Sequence, residues 1–208
     1  MIDNYFRALL PRYTEPCVRL LAKAGLTPNQ ITSLGLLIAL VAAYLITEGM
    51  LLAACAVWWL SRLLDALDGI YARAYGLSSD FGGFLDIQFD MAAYSAMVIA
   101  LYLYFPEFGL QWLIMLFCYV LCISGALGLG SLEDKLGVTD TSQRRLRITV
   151  GLAEGGETGI AYTVFLLLPE YLAITTWVWI VILMITIVSR LQLARIRLGL
   201  GFKTNGEG

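Results

Sequence analysis

Six apolar stretches follow one another along this sequence, over residues 30–47, 50–72, 83–104, 109–130, 148–168 and 172–194. Each is close to the ~20 residues that carry a helix across a ~30 Å hydrocarbon layer. Backbone polar groups find no water inside that layer, so helices that bond internally are the natural way for such segments to cross it. Composition agrees: 14% of the residues are charged, against about 25% in a soluble domain. Turn chemistry sits at the breaks, with Glu48-Gly49, Tyr75–Ser79, Pro106-Glu107, Ser131–Gln143 and Pro169-Glu170. The predicted fold is therefore an all-α integral membrane protein of six transmembrane helices. An N-terminal interfacial amphipathic helix precedes them, since Tyr5–Ala24 mixes apolar residues with Arg7, Arg12, Arg19 and Lys23, with Pro11 and Pro16 expected to interrupt it. Thr27-Pro28 reads as the cap and first position of the next helix.

The basic residues orient the bundle. Apart from Arg62, all 14 Lys and Arg fall in the N-terminal segment, around Arg73, over 135–147, or over 190–203. The connections near Glu48, Glu107 and Glu170 hold none. By the positive-inside tendency both termini and the 73–82 and 131–147 loops are predicted to be cytoplasmic, in the inner (plasma) membrane. The start of the chain lacks the basic-then-apolar pattern of a cleaved signal. A single domain over 1–208 is expected, with an interfacial region over 1–26, a six-span bundle over 27–198 and a cytoplasmic tail over 199–208.

Chemistry in this chain has to run without imidazole, because it contains no histidine. That removes His-based acid–base catalysis and most zinc or copper sites. The four cysteines, Cys17, Cys55, Cys118 and Cys122, read as free thiols acting as small hydrophobes. The unusual residues are acidic. Asp65 and Asp68 lie three apart in the second span, and Asp86 and Asp90 four apart in the third, so each pair shares a helix face. An aspartate at the centre of a membrane helix costs about 2.5–3.5 kcal/mol on insertion scales; these four lie toward the cytoplasmic ends, where the penalty is smaller, yet intramembrane acids of this kind are functional by default. The plainer alternative is pairing of Asp65 and Asp68 with Arg62 and Arg73 at the membrane border. Converging carboxylates need positive charge among them, and an all-oxygen donor set favours Mg²⁺ or Mn²⁺. Two such ions would clamp a phosphoryl group. Gly69, Ala72, Gly82 and Gly83 leave nearly bare backbone beside these faces.

The spacing Asp65-x2-Asp68-Gly69-x2-Ala72-Arg73-x8-Gly82-x3-Asp86-x3-Asp90 matches the signature of the CDP-alcohol phosphotransferases, also called CDP-alcohol phosphatidyltransferases. A chance match to its specified residues has a probability on the order of 10⁻¹⁰ per starting point. The resemblance implies that Asp65, Asp68 and Asp86 ligate two divalent cations and that Asp90 is the general base. It implies that Gly69, Ala72, Arg73 and Gly82 accommodate the CDP part of the donor. The implied reaction moves a phosphatidyl group from CDP-diacylglycerol to a small polar alcohol and releases CMP. Glycerol 3-phosphate is the favoured acceptor, ahead of inositol phosphate, serine or another alcohol. A homodimer is implied as well, and no nucleic-acid partner is expected.

Other polar residues bear on the substrates. Asn29 either caps its helix or reaches the donor phosphates. Lys135, Arg144, Arg145, Arg147 and Arg190 either anchor the topology or bind an acceptor phosphate. Glu154 and Glu157 either contact the acceptor or pair with Arg144 and Arg147. Gly151, Gly155 and Gly159 form a small-residue stripe suited to close packing, within one chain or between two. Trp58, Trp59, Tyr102 and Tyr104 read as lipid-facing or interfacial anchors. Two other enzyme readings are transfer of a head-group phosphate from a CDP-linked alcohol to diacylglycerol, and membrane prenyl transfer. A carboxylate-relay ion transporter is a reading from a different class, but the third span is almost wholly apolar beyond Asp90.

Overall fold

A computed structural model describes residues 14–135 and 155–200. These residues are helical apart from short connections, and no strand occurs among them. Residues 14–23 form α1, followed by α2 (Pro28–Thr47), α3 (Leu51–Ala74), α4 (Asp80–Tyr104), α5 (Gly109–Lys135), α6 (Gly155–Leu167) and α7 (Leu172–Leu200). Four of them, α2, α4, α5 and α7, are long and apolar enough to cross a membrane. α3 has the length, but Arg62, Asp65, Asp68 and Arg73 interrupt its apolar character. Only 13 residues of α6 are described.

Local signals fix the helix ends. Thr27 caps α2 in a full capping box, accepting from the Gln30 amide while the Gln30 side chain accepts from the Thr27 amide, with Pro28 in the first turn. Between α2 and α3, Gly49 has φ +74°, and a Cβ there would lie 2.9 Å from the Tyr104 hydroxyl, so both backbone and space demand glycine. Short 3-10 turns at Pro106–Phe108 and Pro169–Tyr171 precede α5 and α7. Pro16 does not break α1 as the sequence suggested: 14–23 is helical straight through it. Pro16 is the third residue of that described stretch, and in a first turn the missing N–H has no intrahelical partner to lose. α1 is packed through Val18, which is buried with Ile31, Leu67 and Tyr71.

The packing is organised around α2. It lies along both α3 and α4, whereas α3 and α4 make little backbone contact with each other. Gly35, Ala39, Ala42 and Ala43 are the reason, since these small buried residues let neighbouring backbones come close. At Gly35 a Cβ would already touch the Ser61 carbonyl at 3.7 Å. On the other side α5 packs against α7, with Trp179 donating to the Tyr119 hydroxyl at 3.1 Å. α6 joins the halves by packing on α3 and α7.

Trp58 is not an interfacial anchor. It is completely buried, edge-on to Tyr94 and Tyr162, in the main apolar cluster. Trp59, next to it, is partly exposed and donates to Thr163 Oγ1 at 2.8 Å. Two members of the small-residue stripe pack within the chain, Gly151 lying outside the described residues: a Cβ on Gly159 would meet the Trp59 ring at 3.5 Å, and one on Gly155 the Tyr94 hydroxyl at 3.3 Å. The Tyr162 hydroxyl ties α6 to α4 by donating to the Tyr94 carbonyl at 2.8 Å. Tyr162→Phe is expected to lower stability by about 0.6–1.7 kcal/mol, the range for a hydrogen bond between membrane helices. Thermal unfolding of the purified variant in detergent measures this, and an unchanged midpoint would contradict it.

Candidate active site

The aspartates hang from two helices joined by a tight loop. α3 ends at Ala74; Gly76, at φ +65°, turns the chain, and the Leu77 amide donates back to the Ala72 carbonyl at 2.8 Å. Ser79 then caps α4, its Oγ accepting from the Gly82 amide at 3.0 Å. This turn sets the register that brings Asp65 and Asp68 of α3 opposite Asp86 of α4.

These three residues each offer a carboxylate oxygen, and the oxygens lie within 4.8 Å of one another. Asp68 is buried, Asp65 half-buried and Asp86 exposed, so the cluster runs from the interior to an open edge. Asp68 Oδ2 is buried with no hydrogen-bond partner. An orphaned carboxylate oxygen in an apolar bundle costs free energy unless a cation satisfies it. The all-oxygen set and the close spacing fit a hard divalent cation such as Mg²⁺ or Mn²⁺.

Asp90 lies on the same helix but stands apart from that cluster. Its Oδ1 accepts from Arg62 Nη1 at 2.5 Å, and the same nitrogen is 3.8 Å from Asp65 Oδ2. Arg62 was visible in the sequence only as a possible partner for Asp65 and Asp68. Its role opposite Asp90 depends on how α3 faces α4, which no spacing within one helix reveals. The pattern that could have pointed to it is its standing as the lone basic residue well inside the first three spans.

The remaining candidates are distributed around this centre. Arg73 is exposed, and its guanidinium covers Gly69, where a Cβ would meet Nη1 at 3.2 Å. Gly69 is thus roofed by a flexible side chain and is not bare, while Gly83 faces open space. Asn29 does reach the motif: its Oδ1 is 3.0 Å from where a Cβ on Gly82 would sit. Ala72 is half-buried on α3 beside Arg73. Glu157 is half-buried in the first turn of α6, whose Gly155 approaches Tyr94 one turn beyond Asp90. Arg190 is drawn to α5, donating to the Cys122 carbonyl at 2.6 Å. Lys135 is exposed at the end of α5. Arg144, Arg145, Arg147 and Glu154 lie outside the described residues.

Comparison with known proteins bears on this arrangement. The family model described as CDP-alcohol phosphatidyltransferase matches residues 25–201. The inner membrane protein YnjF of Escherichia coli is 33% identical over 178 residues, covering 83% of this chain and 85% of the relative. A phosphatidylinositol phosphate synthase of Mycobacterium marinum is 27% identical, covering 89% of this chain and 80% of the relative. The crystal structure of Mycobacterium tuberculosis phosphatidylinositol phosphate synthase with CDP-DAG bound is similar with a TM-score of 0.64 at 26% identity, covering 88% of this chain and 94% of that one. The same enzyme in complex with manganese and citrate gives a TM-score of 0.63 at 25% identity, covering 87% of this chain and 88% of that one. An aspartate cluster fit for divalent cations, set in a chain with four helices able to cross a membrane and matched over most of its length, leads to one assignment: this protein belongs to the CDP-alcohol phosphatidyltransferase family.

Proposed function

We propose that the protein transfers a phosphatidyl group from CDP-diacylglycerol to a phosphorylated polyol and releases CMP, as a step of phospholipid biosynthesis. Inositol phosphate replaces glycerol 3-phosphate as the first acceptor to test, because relatives named for their product are phosphatidylinositol phosphate synthases from mycobacteria and, over 38% of this chain, an archaetidylinositol phosphate synthase from Pyrococcus horikoshii. The observation that carries the reading is the separation of the four aspartates into a close cluster of three and a fourth held by arginine.

Asp65, Asp68 and Asp86 would hold two divalent cations, Mg²⁺ or Mn²⁺. When bound, such ions neutralise the donor diphosphate and the departing CMP. Asp90 takes the proton of the acceptor hydroxyl. The acceptor oxygen then forms its bond to the phosphorus carrying diacylglycerol, and the bond from that phosphorus to the CMP oxygen breaks. Gly69, Ala72, Arg73, Gly82 and Asn29 form the donor side, with Arg73 placing positive charge over Gly69. Lys135, Arg144, Arg147 and Arg190 supply charge for the acceptor phosphate, and Glu154 and Glu157 accept from polyol hydroxyls. The buried Arg190 Nε, which has no hydrogen-bond partner, supports a polar ligand at that position. In this reading α3 and the helix containing α6 complete a six-span bundle in the inner membrane, with both termini cytoplasmic. α1 lies at the interface, and the protein works as a homodimer.

The test is CMP release by purified protein in lipid vesicles containing CDP-diacylglycerol, with Mn²⁺ or Mg²⁺ and a panel of inositol phosphate, glycerol 3-phosphate, serine and inositol. Metal-dependent CMP release with inositol phosphate is expected. Release that is independent of every acceptor would overturn the assignment, and release with glycerol 3-phosphate alone would return the acceptor to that alcohol. On the donor side, Gly69→Ala meets only the far end of Arg73, so the fold should survive while the guanidinium is displaced. The expected result is a KM for CDP-diacylglycerol raised roughly tenfold, about 1.4 kcal/mol of donor binding. An unchanged KM would remove Arg73 from the donor site.

A further inference from the structure

We propose that Arg62 is a positioning residue that holds Asp90 out of the metal cluster and presents it to the acceptor, an inference that rests on the phosphatidyl-transfer reading above. Arg62 stands three residues before Asp65, outside the motif that carries the family resemblance. Its side chain is only 10% exposed, and three helices fix it. Nη1 bonds Asp90 of α4, and Nη2 donates to Ser61 Oγ at 3.1 Å. Ser61 in turn donates to the Gly35 carbonyl of α2 at 2.9 Å. The guanidinium carbon lies 4.7 Å from the Trp58 ring centre and 5.4 Å from that of Tyr94. A planar guanidinium caged between aromatic faces and a hydroxyl keeps one orientation, and its charge is permanent.

That fixed cation divides the carboxylates. Without it Asp65, Asp68, Asp86 and Asp90 form one acidic set, and a hard cation that gathers six or more oxygens could draw in all four. A metal-bound carboxylate has its lone pairs engaged and is turned away from the acceptor. Arg62 sits against both Asp65 and Asp90, bonded closely to the latter, so its charge offsets the repulsion between them and holds Asp90 on its own side. Three aspartates are left for metal, and the fourth stays aimed at the space beside them.

The experiment uses full-length protein in vesicles, with Mn²⁺ binding read by electron paramagnetic resonance without substrate and turnover read as CMP release. Arg62→Gln is expected to lower kcat about a hundredfold, as loss of an outer-shell partner does, with the donor KM within about threefold. Its Mn²⁺ affinity should be equal to or tighter than that of the unaltered protein, because the released Asp90 joins the cluster. Arg62→Lys, which keeps the charge, should recover kcat to within about tenfold. A merely structural arginine would lower turnover and Mn²⁺ binding together, and that result, or an unchanged kcat in Arg62→Gln, overturns the proposal. Should Arg62→Gln fail to fold, Asp90→Asn decides: its Mn²⁺ affinity is expected to match the unaltered protein, and a loss of tenfold or more (about 1.4 kcal/mol) makes Asp90 a metal ligand and overturns the partition. If the unaltered protein releases no CMP, the transfer reading fails, while the Mn²⁺ measurements on both variants still test the division of the carboxylates.

Discussion

Asp68→Asn is expected to lower CMP release at least about a hundredfold at submillimolar Mn²⁺ and to weaken Mn²⁺ binding with it. Asparagine has the size and shape of aspartate, so packing against α2 is kept and the lost quantity is charge. Asp68 is the most buried member of the cluster, at 5% exposure, and its unpartnered Oδ2 has no water to fall back on. A neutral amide there presents one oxygen and an N–H₂ group that repels a cation. Raising Mn²⁺ should recover part of the rate, because the remaining carboxylates of Asp65 and Asp86 still attract it. Turnover measured over a series of Mn²⁺ concentrations checks this. Full activity at the lowest concentration would mean that the cluster does not hold the metal on which transfer depends.

The second large effect is at Asp90. Asp90→Asn removes the proposed proton acceptor and should lower kcat by about 10²–10⁴, the usual contribution of a positioned base. The donor KM should barely move, since the residue meets the acceptor and not the nucleotide. The isosteric amide can still accept a bond from Arg62 through its oxygen, so thermal stability in detergent should fall little. Steady-state kinetics with CDP-diacylglycerol varied at saturating acceptor separates the two parameters. Retention of full turnover would strip Asp90 of the base role and leave its contact with Arg62 as a structural ion pair.

The sequence and the structure agree most where one helix carries its own signal. Thr27 and Pro28 read as the start of α2 from the sequence alone, and Gly49, Pro106 and Pro169 mark turns through backbone constraints that act locally. The spacing of Asp65, Asp68 and Asp86 places their carboxyls on two faces, and the tight turn at Gly76 brings those faces opposite. Tertiary choices were less legible. An almost wholly apolar helix gives little indication of which side meets protein and which meets lipid. Trp58 therefore read as a border residue when it lies at the centre of the core, and the direction of the glycine stripe at Gly155 and Gly159 was open between self and partner. Arg62 shows the limit most clearly. Its neighbours in sequence suggested Asp65, yet the closer carboxylate is 28 residues away, reached only after α4 has been set beside α3.

α2 lies along both α3 and α4, and at the level of Asp65 its side toward α3 is the hydrogen atom of Gly35. The seat of one wall of the aspartate cluster is consequently fixed by a residue that belongs to neither wall. A single methyl at that point would rest on Ser61, Leu64 and Asp65 at ordinary contact distance, so only a larger side chain would act as a shim, lifting α3 and Asp65 with it off α2.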